Sequence, residues 1–482
     1  MAIKSTKQIV LTVIGIFLMF FGQLFPAPAG LTALDMQIVG IFLGTIFLWL
    51  FVSTTWPSIL AIVAVAISPI FTFAQALSGS MGSWVTSFVL FSSIVTAALS
   101  KSGFLKRFAV WFISRPIAKK NPWALIFLFL LGPLVMGAFM SPIPVYVVFA
   151  AIAVEIFNEL GYEKGERMPQ MLILGILSVS SLSTASTPIA HTVPILAFSL
   201  YEKDMGTAID FTSFTIFGVT VSLIILVVML LIFRYVFKPD LSKIQNFDAS
   251  FLNKNKTPVT REEKYSLIVF LCVVVLWLLP GIIKDILPGV YGFLNGLGTA
   301  VPAMVGVVAL CLIKVDKTPL IDFNESFKTV PWTAVMMVAA AMILGSALTH
   351  EDVVVTQYIV DLVAPVTSGL SPTIFVLFVA LFTIVFTNFA SNTVTVTLIY
   401  TMIMPLVLSG TVSGVNPAAL ACIIGAGACL AQATPPSTAQ AAIAAGSGWL
   451  KVDVMLRYGF LIGAIEVIVL AFIGYPILAA IM

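Results

Sequence analysis

Ile384-Val385-Phe386-Thr387-Asn388-Phe389-Ala390-Ser391-Asn392-Thr393 interrupts an apolar run, and its reading decides the fold. Residues 373–390 before the break are apolar, and 394–408 after it are apolar again. A cluster of hydroxyls and amides there opens backbone that lipid cannot satisfy, at several kcal/mol per unpaired group. Such a break survives only inside protein or along a polar cavity. The chain makes four of them. Leu134-Val135-Met136-Gly137-Ala138-Phe139-Met140-Ser141, followed by Pro142-Ile143-Pro144, lies over residues 384–391. Ser186-Thr187-Pro188 lies over Ala433-Thr434-Pro435. The letters differ but the order of element types is the same, which is the mark of an internal structural repeat.

Composition supports a chain that lives in lipid. Of 482 residues 60% are hydrophobic and only 9% are charged, with a mean hydropathy of +1.12. Soluble domains carry about 25% charged residues. A soluble enzyme, a nucleic-acid binder and a disordered chain are excluded. The net charge of +3, from 24 basic and 21 acidic residues, gives no excess for a polyanion. An all-α polytopic membrane protein remains, with room for ten or more spans of about 20 residues. Four cysteines in apolar runs and two histidines suggest no metal or haem site.

The chain divides into four parts. Residues 1–35 hold an extra N-terminal span, whose run 9–25 resembles a signal peptide but is followed by more membrane. Residues 36–237 form a first repeat, 238–264 a polar cytoplasmic linker, and 265–482 a second repeat; Trp84 in the first matches Trp332 in the second. Residues 104–120 mix basic and aromatic side chains and read as an interfacial amphipathic helix. Taking the runs that end at Ser141 and Ser391 as re-entrant hairpins leaves about eleven spans. Each repeat then crosses five times, so the second is inverted. With the N-terminus inside, only Lys203 and Lys284 among the 24 basic residues fall outside, as the positive-inside rule asks.

The chemistry follows from the breaks. A Ser or Thr there caps the next helix, whose N-terminus offers N–H groups and partial positive charge to an anion. Unwound carbonyls can hold a small cation. The expected site is neutral and hydroxyl-rich, because the neighbouring spans carry no basic residue. Glu155 and Glu466 lie in apolar runs as candidate proton carriers, with snorkelling as the bland alternative. His191 follows Thr187 closely, either as a satisfied buried donor or facing substrate. Gly40 and Gly44 form a GxxxG pattern suited to helix packing.

The stretches Thr387-Asn388-Phe389-Ala390-Ser391-Asn392-Thr393 and Ala433-Thr434-Pro435-Pro436-Ser437 resemble second-half signatures of the divalent anion/sodium symporter family, the INDY-like dicarboxylate transporters. The similarity in element order covers nearly the whole chain. The resemblance implies a homodimer whose protomers each pair a scaffold with a moving transport part, working as an elevator. It implies that Ser391, Asn392 and Thr393 contact one substrate carboxylate and that Ser141 occupies the first tip. Thr187 and Pro188, and Thr434 and Pro435, belong to the facing loops and complete the substrate-binding site with Ser141. Sodium would bind at Thr387, Ala390, Asn392 and Ala433. The first half departs from the pattern. Its tip reads Ser141-Pro142-Ile143 rather than Ser-Asn-Thr, and its loop reads Ser186-Thr187-Pro188-Ile189-Ala190. Pro142 lacks both an amide and an N–H. The expectation is a secondary transporter of small dicarboxylates in the cell membrane, with a cytoplasmic N-terminus, lipid neighbours and no cofactor apart from sodium. Exchange with weakened or absent sodium coupling is the leading mode. Sodium symport, or carriage of sulfate, citrate or arsenite, is the alternative, followed by a channel and an intramembrane enzyme. No HExxH motif, paired aspartates, Ser/His dyad or Walker A motif is present.

Overall fold

A computed structural model describes residues 6–119, 121–189, 191–244, 258–284, 286–367 and 369–482. Residues 245–257 of the linker expected over 238–264 lie outside the described residues, as does Ala190. The described chain is nearly all helix. Among the described residues seven helices are long and apolar enough to cross a membrane. The pair Pro288–Gly296 and Ala300–Leu312, bent by 74°, makes an eighth if counted as one span. The arms of the expected hairpins are mostly shorter, so helix length by itself gives fewer than eleven crossings.

The first helix, Thr6–Phe21, packs along Ala33–Phe51. A Cβ added at Gly40 would fall 2.6 Å from Gly22 Cα, and one at Gly44 would fall 2.6 Å from Met19 N. The GxxxG pair is thus consumed by backbone contact within the chain. Thr32 and Asp35 close a capping box at the start of Ala33–Phe51. Asp35 Oδ1 also accepts from Val354 N at 2.7 Å, tying this end to the second half of the chain.

The four breaks organise the rest. Pro122–Gly137 and Pro142–Glu159 form one hairpin of helices, and Pro372–Thr387 and Asn392–Leu408 form another. Both descending arms have 16 residues and start with proline. Both are capped by the preceding side chain, Asn121 or Ser371. Each hairpin is followed by a broken helix. Arg167–Thr184 resumes as Thr192–Met205, and Pro417–Gly427 resumes as Ala439–Gly446. Each half ends in a long helix that slips into a π turn, Phe233–Phe237 in one and Leu470–Gly474 in the other.

Contacts between the halves come in exchanged pairs. Thr55–Ile67 packs on Trp332–Leu348, and Ala300–Leu312 packs on Trp84–Lys101. Thr192–Met205 lies against Asn392–Leu408 and Pro417–Gly427. Ala439–Gly446 lies against Pro142–Glu159 and Arg167–Thr184. Each half therefore completes the other's hairpin.

Several elements differ from the sequence reading. Thr192–Met205, Ala439–Gly446 and Pro288–Gly296 are helices where no apolar run stands out. Thr192–Met205 ends in Glu202, Lys203 and Asp204, and the other two hold only eight or nine residues. The amphipathic segment is helical over Phe104–Ile113, burying Leu105, Ala109 and Ile113 at i, i+4 and i+8. Its Arg107 pairs with the nearly buried Glu263 at 2.8 Å. The helix after Thr299 gives way to a small hairpin, Lys314–Val315 with Thr318–Pro319. Its two turn residues, Asp316 and Lys317, have positive φ.

The loops sort by charge. Lys243 Nζ binds Glu166 Oε1 at 2.8 Å and Gly161 O at 2.9 Å, and Lys164 Nζ binds Ser447 O at 3.0 Å. These basic residues, all assigned to one side by their sequence, gather at one end of the first broken helix. At its other end Lys203 Nζ bonds Thr349 Oγ1 at 2.9 Å, and Tyr400 OH donates to Asp204 Oδ2 at 3.0 Å.

Candidate functional site

The two hairpin tips, far apart in sequence, meet on one cavity of about 800 Å³. Ser141, Pro142 and Ile143 line it from one tip, and residues 389–393 line it from the other. The resumed halves of both broken helices also begin on its wall, at His191-Thr192 and Thr438-Ala439. Four helix N-termini thus converge on one space. Among the described residues no Lys, Arg, Asp or Glu lines it. Any anion held there is held by backbone N–H groups, hydroxyls and helix ends.

The four N-termini are not equivalent. His191 Nδ1 accepts from Val193 N at 3.4 Å, and Thr438 Oγ1 accepts from Ala441 N at 3.2 Å. Those two ends are capped. Ser141 and Ser391 hold the N-cap position of their helices, but neither hydroxyl makes a capping bond. This corrects the expectation that the tip serines cap. It leaves first-turn N–H groups available at the cavity, and here the tips diverge. The second tip offers the N–H groups of Asn392 and Thr393. The first has proline at positions 142 and 144 of the opening turn, so two of its donors do not exist.

The second tip is tied to the unwound segment that faces it. Asn388 Oδ1 accepts from Ala433 N at 2.7 Å, and its Nδ2 donates to Ile384 O at 2.8 Å and Leu430 O at 3.2 Å. Thr434 Oγ1 donates to Asn388 O. Thr387 Oγ1 lies 2.7 Å from Ala428 O and 3.0 Å from Asn392 Oδ1. One hydroxyl proton cannot serve both acceptors at once. An oxygen is always left over, and the group fits part of the shell of a small hard cation. Ala390 lines the cavity beside it, whereas Ala433 contributes a backbone N–H to Asn388.

The first tip keeps only the brace. Thr187 Oγ1 donates to Ala138 O, as Thr434 does to Asn388 O. Ala138 stands where the second tip has Asn388, Gly137 where it has Thr387, and Pro142 where it has Asn392. No side-chain oxygen occupies those three positions. A Cβ built on Gly137 would fall 2.1 Å from Ser183 Oγ, so the missing Thr387 equivalent has no room.

Thr187, Pro188, Thr434 and Pro435 therefore sit behind the tips and off the cavity wall, with Thr187 fully buried. The wall instead takes His191 in the first half, and Cys429, Ser437, Thr438 and the first-turn Gln440 of Ala439–Gly446 in the second. The signal of His191 and Thr438 in sequence was a cap residue directly before a short helix. Ser92, Ser93 and Thr96 bring further hydroxyls from Trp84–Lys101, a polar stripe readable within an apolar run. Cys429 belongs to the unwound segment and lines the cavity, and Cys272 is exposed. Glu155 is exposed, in keeping with the bland reading, whereas Glu466 is fully buried away from the cavity.

Comparisons with known proteins agree with this architecture. Residues 4–481 match the family described as the sodium:sulfate symporter transmembrane region. An uncharacterised transporter of Haemophilus influenzae is 24% identical over 354 residues, 73% of this chain and 72% of that protein. The sodium-dependent dicarboxylate transporter SdcS of Staphylococcus saprophyticus is 24% identical over 325 residues, 65% of this chain and 60% of the relative. The fold resembles the YdaH transporter of Alcanivorax borkumensis, with a TM-score of 0.56 at 13% identity, covering 85% of this chain and 87% of that one. It also resembles MtrF of Neisseria gonorrhoeae, described among antimetabolite efflux pumps, with a TM-score of 0.55 at 14% identity and coverage of 96% and 98%.

Proposed function

The chain belongs to the sodium:sulfate symporter family of transmembrane transporters, and from that premise we propose that it carries small dicarboxylates of the succinate type across the cell membrane by exchange. The observation that carries this reading is the pair of unlike tips on one uncharged cavity. The second tip presents Ser391, Asn392 and Thr393 with free N–H groups, which suits a carboxylate. The first presents Ser141 and can take the other carboxylate less tightly. Thr187, Pro188, Thr434 and Pro435 serve the site by holding the tips.

Cation coupling follows the same asymmetry. Thr387, Asn392 and Ala428 O supply oxygens in the second half, with Ala390 and Ala433 at its edge. Gly137 and Pro142 supply no side-chain oxygen in the first. A hard cation needs several oxygen ligands, so at most one coupling sodium is held. With the driving ion weakened or absent, net flux gives way to exchange of one dicarboxylate for another. The two hairpins and two broken helices would move as one body against the remaining helices, in an inverted-repeat elevator assembled as a homodimer with a cytoplasmic N-terminus.

A sodium-coupled symporter is the second reading, favoured by the oxygen cluster at Thr387 and by the kind of transporter SdcS is. Proteoliposomes separate the two. Under exchange, preloaded succinate drives labelled succinate uptake in sodium-free buffer, and empty vesicles take up little. Sodium-dependent uptake into empty vesicles overturns exchange. Competition by sulfate or citrate, with none by succinate, overturns the substrate class.

A further inference from the structure

We propose that Glu466 is a proton-binding site, held as the neutral acid by Gln432 on the unwound segment behind the second tip. Glu466 is fully buried on Val452–Val469, and Gln432 is fully buried as well. Gln432 Nε2 donates to Glu466 Oε2 at 2.8 Å. The remaining oxygens of the pair, Gln432 Oε1 and Glu466 Oε1, are both buried and without a partner. Two unpartnered buried acceptors on one hydrogen-bonded pair are costly in a medium of low polarity. A proton on the carboxyl removes its charge and turns one of these acceptors into a donor, and the amide already bonded to it carries a free acceptor in Gln432 Oε1.

Among the described residues no charge offsets an ionised Glu466. Of the helices packed on Val452–Val469, Pro372–Thr387 and Phe211–Ile232 have no titratable residue, and neither does the π turn Leu470–Gly474. Arg167–Thr184 has only Arg167, at its far end against Phe237 O. Asp453, Arg457 and Tyr458 lie on the same helix, two or more turns earlier. Cys429, on the unwound segment, bonds Gly425 O. Gly463 leaves room for the carboxyl, with its Cβ position 4.0 Å from Glu466 Oε2. A metal cation is the poorer occupant, since it wants several oxygens where the pair has two to give. The next residues after Gln432, Ala433 and Thr434, hold Asn388 of the second hairpin. The proton therefore fastens the facing segment to Val452–Val469. The first half has Ala185 where the second has Gln432, and so no counterpart.

Infrared spectroscopy of the purified full chain in sodium-free buffer tests this. Wild type at neutral pH should show a carboxylic-acid C=O band that Glu466→Gln removes. Its melting temperature should fall as the pH is raised from mildly acidic to alkaline, because the buried acid is then asked to ionise. Glu466→Gln should lose that part of the dependence. If Glu466→Gln fails to fold, Gln432→Met serves instead, since it keeps the acid but removes its acceptor and should shift the band. Absence of a Glu466 acid band at neutral pH, or identical pH dependence in wild type and variant, overturns the proposal.

Discussion

The two hairpins share a frame and differ in what their tips can hold. Both descend through 16 residues from a capped proline, both turn at a serine, and both are braced by a threonine donating to a tip carbonyl. Beyond the brace they part. Thr387, Asn388 and Asn392 in the second become Gly137, Ala138 and Pro142 in the first. The facing segments differ too. With Thr187 placed over Thr434, the second broken helix unwinds about one turn sooner, ending at Gly427 where the first continues to Thr184. That extra unwound turn exposes the carbonyls of Ala428, Leu430 and Ala431, which accept from Thr387, Asn388 and Ser181. Two hairpins can thus share a brace while their tips differ, because the brace rests on helix packing and the tip chemistry on a few side chains.

The sharpest way to break the contrast is to copy the first tip into the second. Asn392→Pro keeps the helix start, since proline suits the first helical position. It removes an amide and an N–H, each worth about 1.5–3 kcal/mol against a charged partner. We expect exchange to fall at least ~100-fold, with normal yield and an unchanged elution volume on size-exclusion chromatography. Wild-type exchange would mean that the second tip does not hold the carboxylate.

A smaller effect tests the shared brace. Thr187→Val and Thr434→Val each preserve shape and leave a buried carbonyl short of a donor, at about 1–3 kcal/mol. Both should lower the melting temperature by a few degrees, and by similar amounts. A drop confined to one variant would show that the braces do not do the same job.

The smallest effect is expected from repairing the first tip. Pro142→Asn returns one N–H and one amide to the cavity, and the KM for succinate should fall about fivefold, as for one added hydrogen bond. Sodium dependence should stay as it was, because Gly137 is still pressed against Ser183 and adds no hydroxyl. A newly acquired sodium requirement would show that Pro142 by itself disables the first cation site.

Much of this was legible in advance. The four breaks, the repeated order of elements and the odd chemistry of Pro142 are all visible in the chain. Covalent structure and hydropathy fix them without reference to any neighbour. The short helices Thr192–Met205 and Ala439–Gly446 were not visible, because they are half-length pieces whose stability comes from packing on the opposite half. The hydrogen bonds of Thr187 and Thr434 were not visible either. A hydroxyl beside a break can face substrate or bind backbone, and only the position of Ala138 O or Asn388 O chooses between them.

By itself, then, the sequence determined a polytopic helical chain with two matched sets of breaks and one proline-stripped tip. These are local properties, set by side-chain hydropathy and by which residues own an N–H. The tertiary structure decided which polar groups open onto the shared cavity and which are spent behind it. It placed His191 and Thr438 as caps on the wall, the Gly40 and Gly44 pair against the first helix, and Glu466 against Gln432. Each of these depends on an atom delivered by a segment elsewhere in the chain. Hydrogen bonds and close contacts act over a few ångströms, so their partners are fixed only once the helices have packed.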